Sequence, residues 1–93
     1  MKFQFSDEKN LKLIKERGIS FEEVIEVIAS GIGILGISPH PNKEKYPHQE
    51  MYILNVRGYA CAVPFVRKDT NTIFLKTIFF DRRLTRKYLR KQL

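Results

Sequence analysis

The sequence predicts an α+β domain in which a mostly antiparallel sheet is covered by helices. Three observations lead to this prediction. Helical periodicity with capping residues is confined to the first third of the chain, strand-like segments fill the middle, and a basic helical segment follows. The predicted order is β-α-α-β-β-β-β-α. Because the chain has 93 residues, we expect one domain over 1–93.

The first three predicted elements are a short strand and two helices. Residues 1–5 alternate polar and apolar side chains, as a strand does. The first helix begins after the N-cap residue Ser6 and ends at Gly18. The second helix opens at Ser20 with capping-box spacing and presents one apolar face before Gly31 ends it.

Four strands are predicted in the rest of the core. They cover residues 32–37, 51–56, 59–66 and 72–80. A polar loop with three prolines occupies 38–49, a tight hairpin turn forms at Arg57-Gly58, and a second turn covers 67–71. Since Pro64 has no N–H to donate, we expect its strand to be an edge or to carry a bulge there.

The charge of the chain is concentrated near its C-terminal end. The net charge is +7, from 17 Lys and Arg against 10 Asp and Glu. Residues 76–93 contribute seven bases, against Asp81 alone: Lys76, Arg82, Arg83, Arg86, Lys87, Arg90 and Lys91. On a helix, Arg82, Arg86 and Arg90 share one side. This pattern fits a phosphate-binding surface, a solvated helix face or a dock for an acidic protein, and composition does not separate the three.

A second candidate region is the loop over 40–48. It combines two His, two Lys and a Tyr, and prolines stiffen its backbone. His40 and His48 are candidate acids or bases at neutral pH. Lys43 and Lys45 could hold an anion, and Tyr46 could stack on a nucleobase. The alternative is an ordinary polar surface loop, and no third ligand has the spacing of a metal site.

Composition also excludes several classes of protein. The single Cys61 excludes a disulfide scaffold and a cysteine-based zinc site, and its apolar strand predicts a buried side chain. No apolar run is long enough to span a membrane, and the N-terminus lacks a signal-peptide pattern. We therefore expect a cytoplasmic protein without a membrane partner.

Several segments resemble the BrnT-type toxins of bacterial type II toxin–antitoxin modules, which belong to the RelE-like ribonuclease toxins. The terminal matches are FQFSDEKN at 3–10, GISFEEV at 18–24 and RRLTRK at 82–87. In the middle of the chain, HPN at 40–42, KYP at 45–47, VPFV at 63–66 and FLKTI at 74–78 look like a branch of the same group. The match runs in order along almost the whole chain.

The resemblance implies a RelE-like fold and a ribonuclease that inhibits translation without a metal or other cofactor. It implies attack of a ribose 2′-hydroxyl on the neighbouring RNA phosphate. It also implies a cognate antitoxin, of ribbon-helix-helix type, through which the toxin would reach operator DNA. By position, Arg82, Arg83 and Arg86 would clamp the phosphate and stabilise the transition state.

The predicted site combines this motif with the loop. The catalytic candidates are Arg82, Arg83, Arg86, His40 and His48. The RNA-binding candidates are Lys43, Lys45, Tyr46, Lys76, Lys87 and Tyr88.

The chain departs from the family pattern at four positions. Phe5 replaces a Trp, Ser6 replaces an Asp, Asp81 stands where a small residue or Ser is usual, and Thr77 replaces an Arg. The departures at Asp81, which lies next to the arginines, and at Thr77, on the last predicted strand, favour an alternative. In that alternative, the chain is an attenuated or non-catalytic module that binds nucleic acid or antitoxin through the same basic surface.

Overall fold

The computed structural model describes residues 1–89, so Arg90 and Lys91 of the predicted basic segment lie outside the described residues. Its elements are β1 (Lys2–Gln4), α1 (Asp7–Arg17), α2 (Phe21–Ser30), β2 (Ile34–Pro39), β3 (Gln49–Val56), β4 (Tyr59–Asp69), β5 (Thr72–Leu75), β6 (Phe79–Phe80) and α3 (Arg82–Leu89). This order is the predicted one, except that the last predicted strand is divided into β5 and β6.

The strands form one mixed sheet in the order β1-β5-β4-β3-β2, and β6 also pairs with β4. The β1–β5 pair is parallel, and the other pairs are antiparallel. The predicted α+β class with a mostly antiparallel sheet is therefore confirmed. The hairpin between β3 and β4 turns at Arg57-Gly58, as predicted.

The prediction of one strand over 72–80 is wrong, and the reason lies at Pro64 of β4. The Pro64 carbonyl accepts a hydrogen bond from the Lys76 N–H at 2.8 Å. Because the nitrogen and oxygen of a strand residue point to the same neighbour, the proline nitrogen faces the same side and offers no donor. The neighbouring strand is interrupted over 76–78, where the Arg17 guanidinium donates to the Ile78 carbonyl. β4 is thus an interior strand with a break in its partner.

The predicted helix ends agree with the capping geometry. The Ser6 hydroxyl accepts from the Lys9 N–H at 3.1 Å, and the Ser20 hydroxyl accepts from the Glu23 N–H at 3.1 Å. The helices end at Gly18 and Gly31, both in the left-handed region.

The helices cover both faces of the sheet. α1 and α2 pack on one face over the larger apolar core, which includes Phe21, Val24, Leu54 and Phe65. On the other face, Leu84 and Tyr88 of α3 pack on a smaller cluster of Met51, Ile53 and Ala62. Within residues 1–89, no helix is long and apolar enough to span a membrane.

Candidate functional site

The start of α3 is fixed to β4 by a set of hydrogen bonds. The Asp81 carboxylate accepts from the Leu84 N–H at 3.0 Å, which makes Asp81 the N-cap of α3. The Asp81 N–H donates to the Ala60 carbonyl of β4 at 3.1 Å. The Thr85 hydroxyl accepts from the Ala60 N–H at 2.9 Å and donates to the Asp81 carbonyl at 2.8 Å. The first turn of α3 therefore has a defined position on the sheet.

This anchoring decides which side of α3 faces solvent. Thr85 is buried and Leu84 and Tyr88 are partly buried against the sheet. The basic side chains on the remaining positions are exposed: Arg82, Arg83, Arg86 and Lys87. The helix is therefore amphipathic, with its positive charge on the solvent side.

A cleft of about 750 Å³ lies where α3 leaves the sheet. Its lining residues are Tyr59, Phe80, Asp81, Arg82, Thr85 and Arg86. Tyr59 and Phe80 come from the neighbouring strands β4 and β6, and their rings meet edge to face with centroids 6.4 Å apart and planes at 82°. Two arginines and two aromatic rings thus share one concave surface.

The two cleft arginines are not paired with a carboxylate of the described chain. Within residues 1–89, the ion pairs are Arg57 with Glu23 and Arg67 with Glu50. Since neither pair involves Arg82 or Arg86, both guanidinium groups can bind an anion in the cleft. Asp81 supplies the one carboxylate in the described lining.

The other candidates on α3 lie outside this cleft. Arg83 and Lys87 are exposed on α3 and do not line it. Tyr88 is partly buried, and its hydroxyl lies over Gly36 of β2, where an added Cβ would come within 3.4 Å of it. Lys87 places its ammonium 5.3 Å from the centroid of the Tyr88 ring. In this structure Tyr88 packs α3 on the sheet.

The predicted loop residues form a local cluster of their own. The His40 ring accepts from the Asn42 N–H at 3.1 Å through Nδ1, and it lies 4.5 Å from the Tyr46 ring. The Lys45 ammonium lies 5.3 Å from the Tyr46 centroid, and Lys43 is exposed. His40 and Tyr46 therefore stabilise the conformation of the loop.

His48 lines a different depression. Its other lining residues are Pro39, Pro47, Gln49, Glu50 and Arg67. Because Arg67 is paired there with Glu50, the guanidinium already has an anionic partner. This depression lacks the unpaired cations of the α3 cleft.

The structure does not bring the loop histidines to the cleft. Ala60 lies near one end of β4 and is hydrogen-bonded to Asp81 at the cleft. Val66 lies towards the other end of β4 and pairs with Gln49, which directly follows the loop. The two positions are roughly 20 Å apart along an extended strand. The predicted combination of Arg82 and Arg86 with His40 and His48 is therefore not assembled in one site.

Lys76 also lies away from the cleft lining. It directly follows β5 and is exposed, and its ammonium lies 5.3 Å from the centroid of the Phe74 ring. The Lys68 ammonium lies 5.4 Å from the same ring. The two lysines form a separate basic patch next to β5.

The sequence did not identify Tyr59 as a residue of the cleft. The structure buries Phe79 partly against the smaller cluster and exposes Phe80. The available signal for Tyr59 was an aromatic residue directly after the Arg57-Gly58 turn. Its proximity to Phe80 depends on the pairing of β4 with β6, which the sequence does not display.

The N-terminal motif has a structural role. The Asn10 side chain accepts from the Phe21 N–H at 2.7 Å and donates to the Glu22 carboxylate at 2.7 Å. Asn10 is buried, so these bonds link α1 to the start of α2 inside the protein. The two N-terminal motif segments therefore meet through one side chain.

No protein-family model and no curated protein matches the chain. Among solved structures, the fold is similar to the crystal structure of the Brucella abortus ribonuclease toxin BrnT. The TM-score is 0.64 at 18% sequence identity, and the match covers 87% of this chain and 96% of that chain. The fold implied by the resemblance of the motifs is thus confirmed.

Proposed function

We propose that this protein is the toxin of a toxin–antitoxin module and cleaves RNA at the α3 cleft. The observation that carries the proposal is the pair of arginines, Arg82 and Arg86, that line the cleft without a carboxylate partner in the described chain. Arg presents planar donors that match two phosphate oxygens. The similarity of the fold to a ribonuclease toxin supports the choice of RNA as the source of that phosphate.

The chemistry is a transfer of the phosphoryl group within the RNA chain. The 2′-oxygen forms a bond to phosphorus, the bond to the 5′-oxygen breaks, and the products are a 2′,3′-cyclic phosphate and a 5′-hydroxyl. The 2′-hydroxyl proton passes to solvent, and the leaving oxygen receives one from solvent. Arg82 and Arg86 would neutralise the charge that develops on the phosphate oxygens. Because arginine stays protonated, these residues act by position and charge.

The test of the proposal is expression of the chain without an antitoxin. We expect growth arrest and shortened mRNAs. Arg82→Ala or Arg86→Ala should lower cleavage at least tenfold, which is about 1.4 kcal/mol of transition-state stabilisation each. Lys15→Ala, which removes an exposed charge of α1, is the matched control. Full cleavage by both arginine variants would contradict the proposal.

Arg83 gives a sharper comparison. The family motif assigns it to the same clamp, whereas the structure leaves it outside the cleft lining. We expect Arg83→Ala to lower cleavage less than Arg82→Ala or Arg86→Ala does. An equal loss would mean that the phosphate is held by the exposed face of α3 and not by the cleft.

One observation favours a second candidate function, a module that binds RNA or antitoxin without cleaving RNA. His40 and His48 lie away from the cleft, so its described lining contains no histidine to move a proton at neutral pH. Purified protein that binds RNA through Arg82 and Arg86 but leaves it intact would select this function. Copurification with the product of an adjacent gene would test for the antitoxin, which we propose to be of ribbon-helix-helix type.

A further inference from the structure

We propose that Tyr59 and Phe80 form a stacking subsite for a nucleobase of single-stranded RNA, next to the phosphate held by Arg82 and Arg86. This inference rests on the proposed function, because it requires the cleft to bind RNA. The subsite would hold the nucleobase, which is the part of the nucleotide that the two arginines do not contact. It also assigns a role to two residues outside the motifs that resemble the toxin family.

The first observation is exposure. The chain has seven Phe and four Tyr, and all of them lie within residues 1–89. Tyr59 is 55% exposed and Phe80 is 39% exposed, whereas the other aromatic side chains are buried or partly buried. Leaving two large rings in water forgoes the free energy of burying them. Among the aromatic side chains, those exposed to solvent are therefore the two rings that line the cleft. This indicates a surface that a ligand covers.

The second observation is the shape that the rings make. Tyr59 and Phe80 stand nearly perpendicular, with planes at 82° and centroids 6.4 Å apart. An edge-to-face pair leaves a ring face open inside the corner. A flat nucleobase can stack on that face while its edge contacts the second ring. Stacking of this kind tolerates any base, because every base has a π-face.

The third observation is the distribution of charge along the cleft. The basic side chains of Arg82 and Arg86 belong to α3, and the aromatic rings belong to β4 and β6. Asp81 joins β6 to α3, and its carboxylate is held as the N-cap. A negative charge there repels phosphate, so the anionic part of a nucleotide belongs on the arginines and the neutral base belongs on the rings.

The same arrangement selects single-stranded RNA. In a duplex the bases are stacked on each other and their faces are covered, whereas bases in single strands can be splayed out onto aromatic side chains. An unpaired nucleotide offers a phosphate and an open base face together. The cleft offers a partner for each.

The experiment measures binding of an eight-nucleotide single-stranded RNA with 2′-O-methyl riboses, which the protein cannot cleave by 2′-hydroxyl attack. The full chain is compared with Tyr59→Thr and Phe80→Thr, which remove the ring and place a β-branched residue, a good strand former, in each strand. We expect each variant to bind at least about fivefold more weakly. Ile37→Thr, which removes an exposed apolar side chain from β2, is the control and should bind as the unchanged chain does.

Probes with abasic residues and a duplex RNA complete the test. The unchanged chain should bind the abasic probe and the duplex more weakly than the normal single strand, and the Phe80→Thr variant should lose this preference. Equal affinity for normal and abasic probes would overturn the stacking subsite. So would aromatic variants that keep RNA affinity while losing a protein partner, because the rings would then be a protein interface.

Failure of this inference is distinguishable from failure of the proposed function. If Arg82→Ala and Arg86→Ala weaken RNA binding and the aromatic variants do not, the phosphate site stands and the stacking subsite is rejected. If neither set of variants changes RNA binding, the cleft is not an RNA site and both proposals fail.

Discussion

At the scale of single residues, Asp81 has a structural and an electrostatic role. The sequence marked it as a departure from the family pattern beside the arginines. The structure shows it as the N-cap of α3, a position where Ser is equally suited. The carboxylate therefore performs the capping that a Ser would perform, and it adds a negative charge to a cleft that we expect to bind phosphate.

Two substitutions of Asp81 separate these roles. Asp81→Asn keeps a capping side chain and should change the free energy of unfolding by less than about 0.5 kcal/mol, whereas Asp81→Ala should lower it by about 1 kcal/mol. Both remove the charge, so both should bind single-stranded RNA more tightly than the unchanged chain. Urea denaturation and RNA binding measure the two effects. If Asp81→Asn binds no more tightly, the carboxylate does not weaken phosphate binding.

At the scale of elements, the position of α3 depends on Thr85. Thr85 is not the cap of α3, since Asp81 fills that position. Thr85 lies inside the helix and is 6% exposed, and its hydroxyl accepts a hydrogen bond from the Ala60 N–H of β4. That N–H sits on a buried residue, so its hydrogen bond cannot be replaced by bulk water.

Thr85→Val should destabilise the protein by about 1–3 kcal/mol, because the Ala60 N–H would stay buried without an acceptor. Thr85→Ser keeps the hydroxyl and is the control, with the loss of one methyl costing about 1 kcal/mol. Equilibrium urea unfolding compares the two. The Val variant should also bind RNA more weakly than the Ser variant, since α3 carries Arg82 and Arg86. Equal stability of both variants would show that the hydroxyl does not anchor α3.

At the scale of the whole molecule, the sheet divides the protein into two layers of different character. α1 and α2 close the larger core on one face, and the basic helix α3 lies on the other. The excess charge is therefore separated from most of the apolar core. Two acidic groups in that core, Cys61 and Tyr52, couple stability to pH.

Burial raises the pKa of the Cys61 thiol to about 12, with a further contribution from the charge of Glu23. Burial also raises the pKa of Tyr52 above its ordinary value. Both groups hold their protons more strongly in the folded than in the unfolded chain. Their contribution to the free energy of unfolding is fully present below the pKa that each group has in the unfolded chain, which is about 8.5 for a thiol. It is lost as the pH rises towards the pKa that the group has in the folded chain.

We therefore expect the free energy of unfolding to fall as the pH rises from about 8.5 to 10.5. Urea unfolding at pH 7.5, 9 and 10 measures the slope. Cys61→Ala removes the thiol and should make the slope shallower, with Tyr52→Phe as a second variant for the phenol. A slope unchanged by Cys61→Ala would contradict the assignment. The native thiol should also react slowly with a thiol reagent, because the thiolate is the reactive form.

By itself, the sequence determined the local features of this protein. Ser6 and Ser20 open helices, Gly18 and Gly31 end them, and Arg57-Gly58 turns a hairpin, because these features depend on a few neighbouring residues. The positive charge of α3 and its arginine motif could also be identified from the sequence. The motif resemblance extended this to the fold, which the structural similarity to BrnT confirms.

Only the tertiary structure decided which of these residues meet. It divided the last strand opposite Pro64, placed Tyr59 beside Phe80, and left His40 and His48 at the far end of the sheet from Arg82 and Arg86. Each outcome depends on strand pairing between distant segments, which one-dimensional spacing does not specify. The basic residues could be counted from the sequence. That two of them share a cleft with two exposed aromatic rings follows from the hydrogen bonds between α3 and β4.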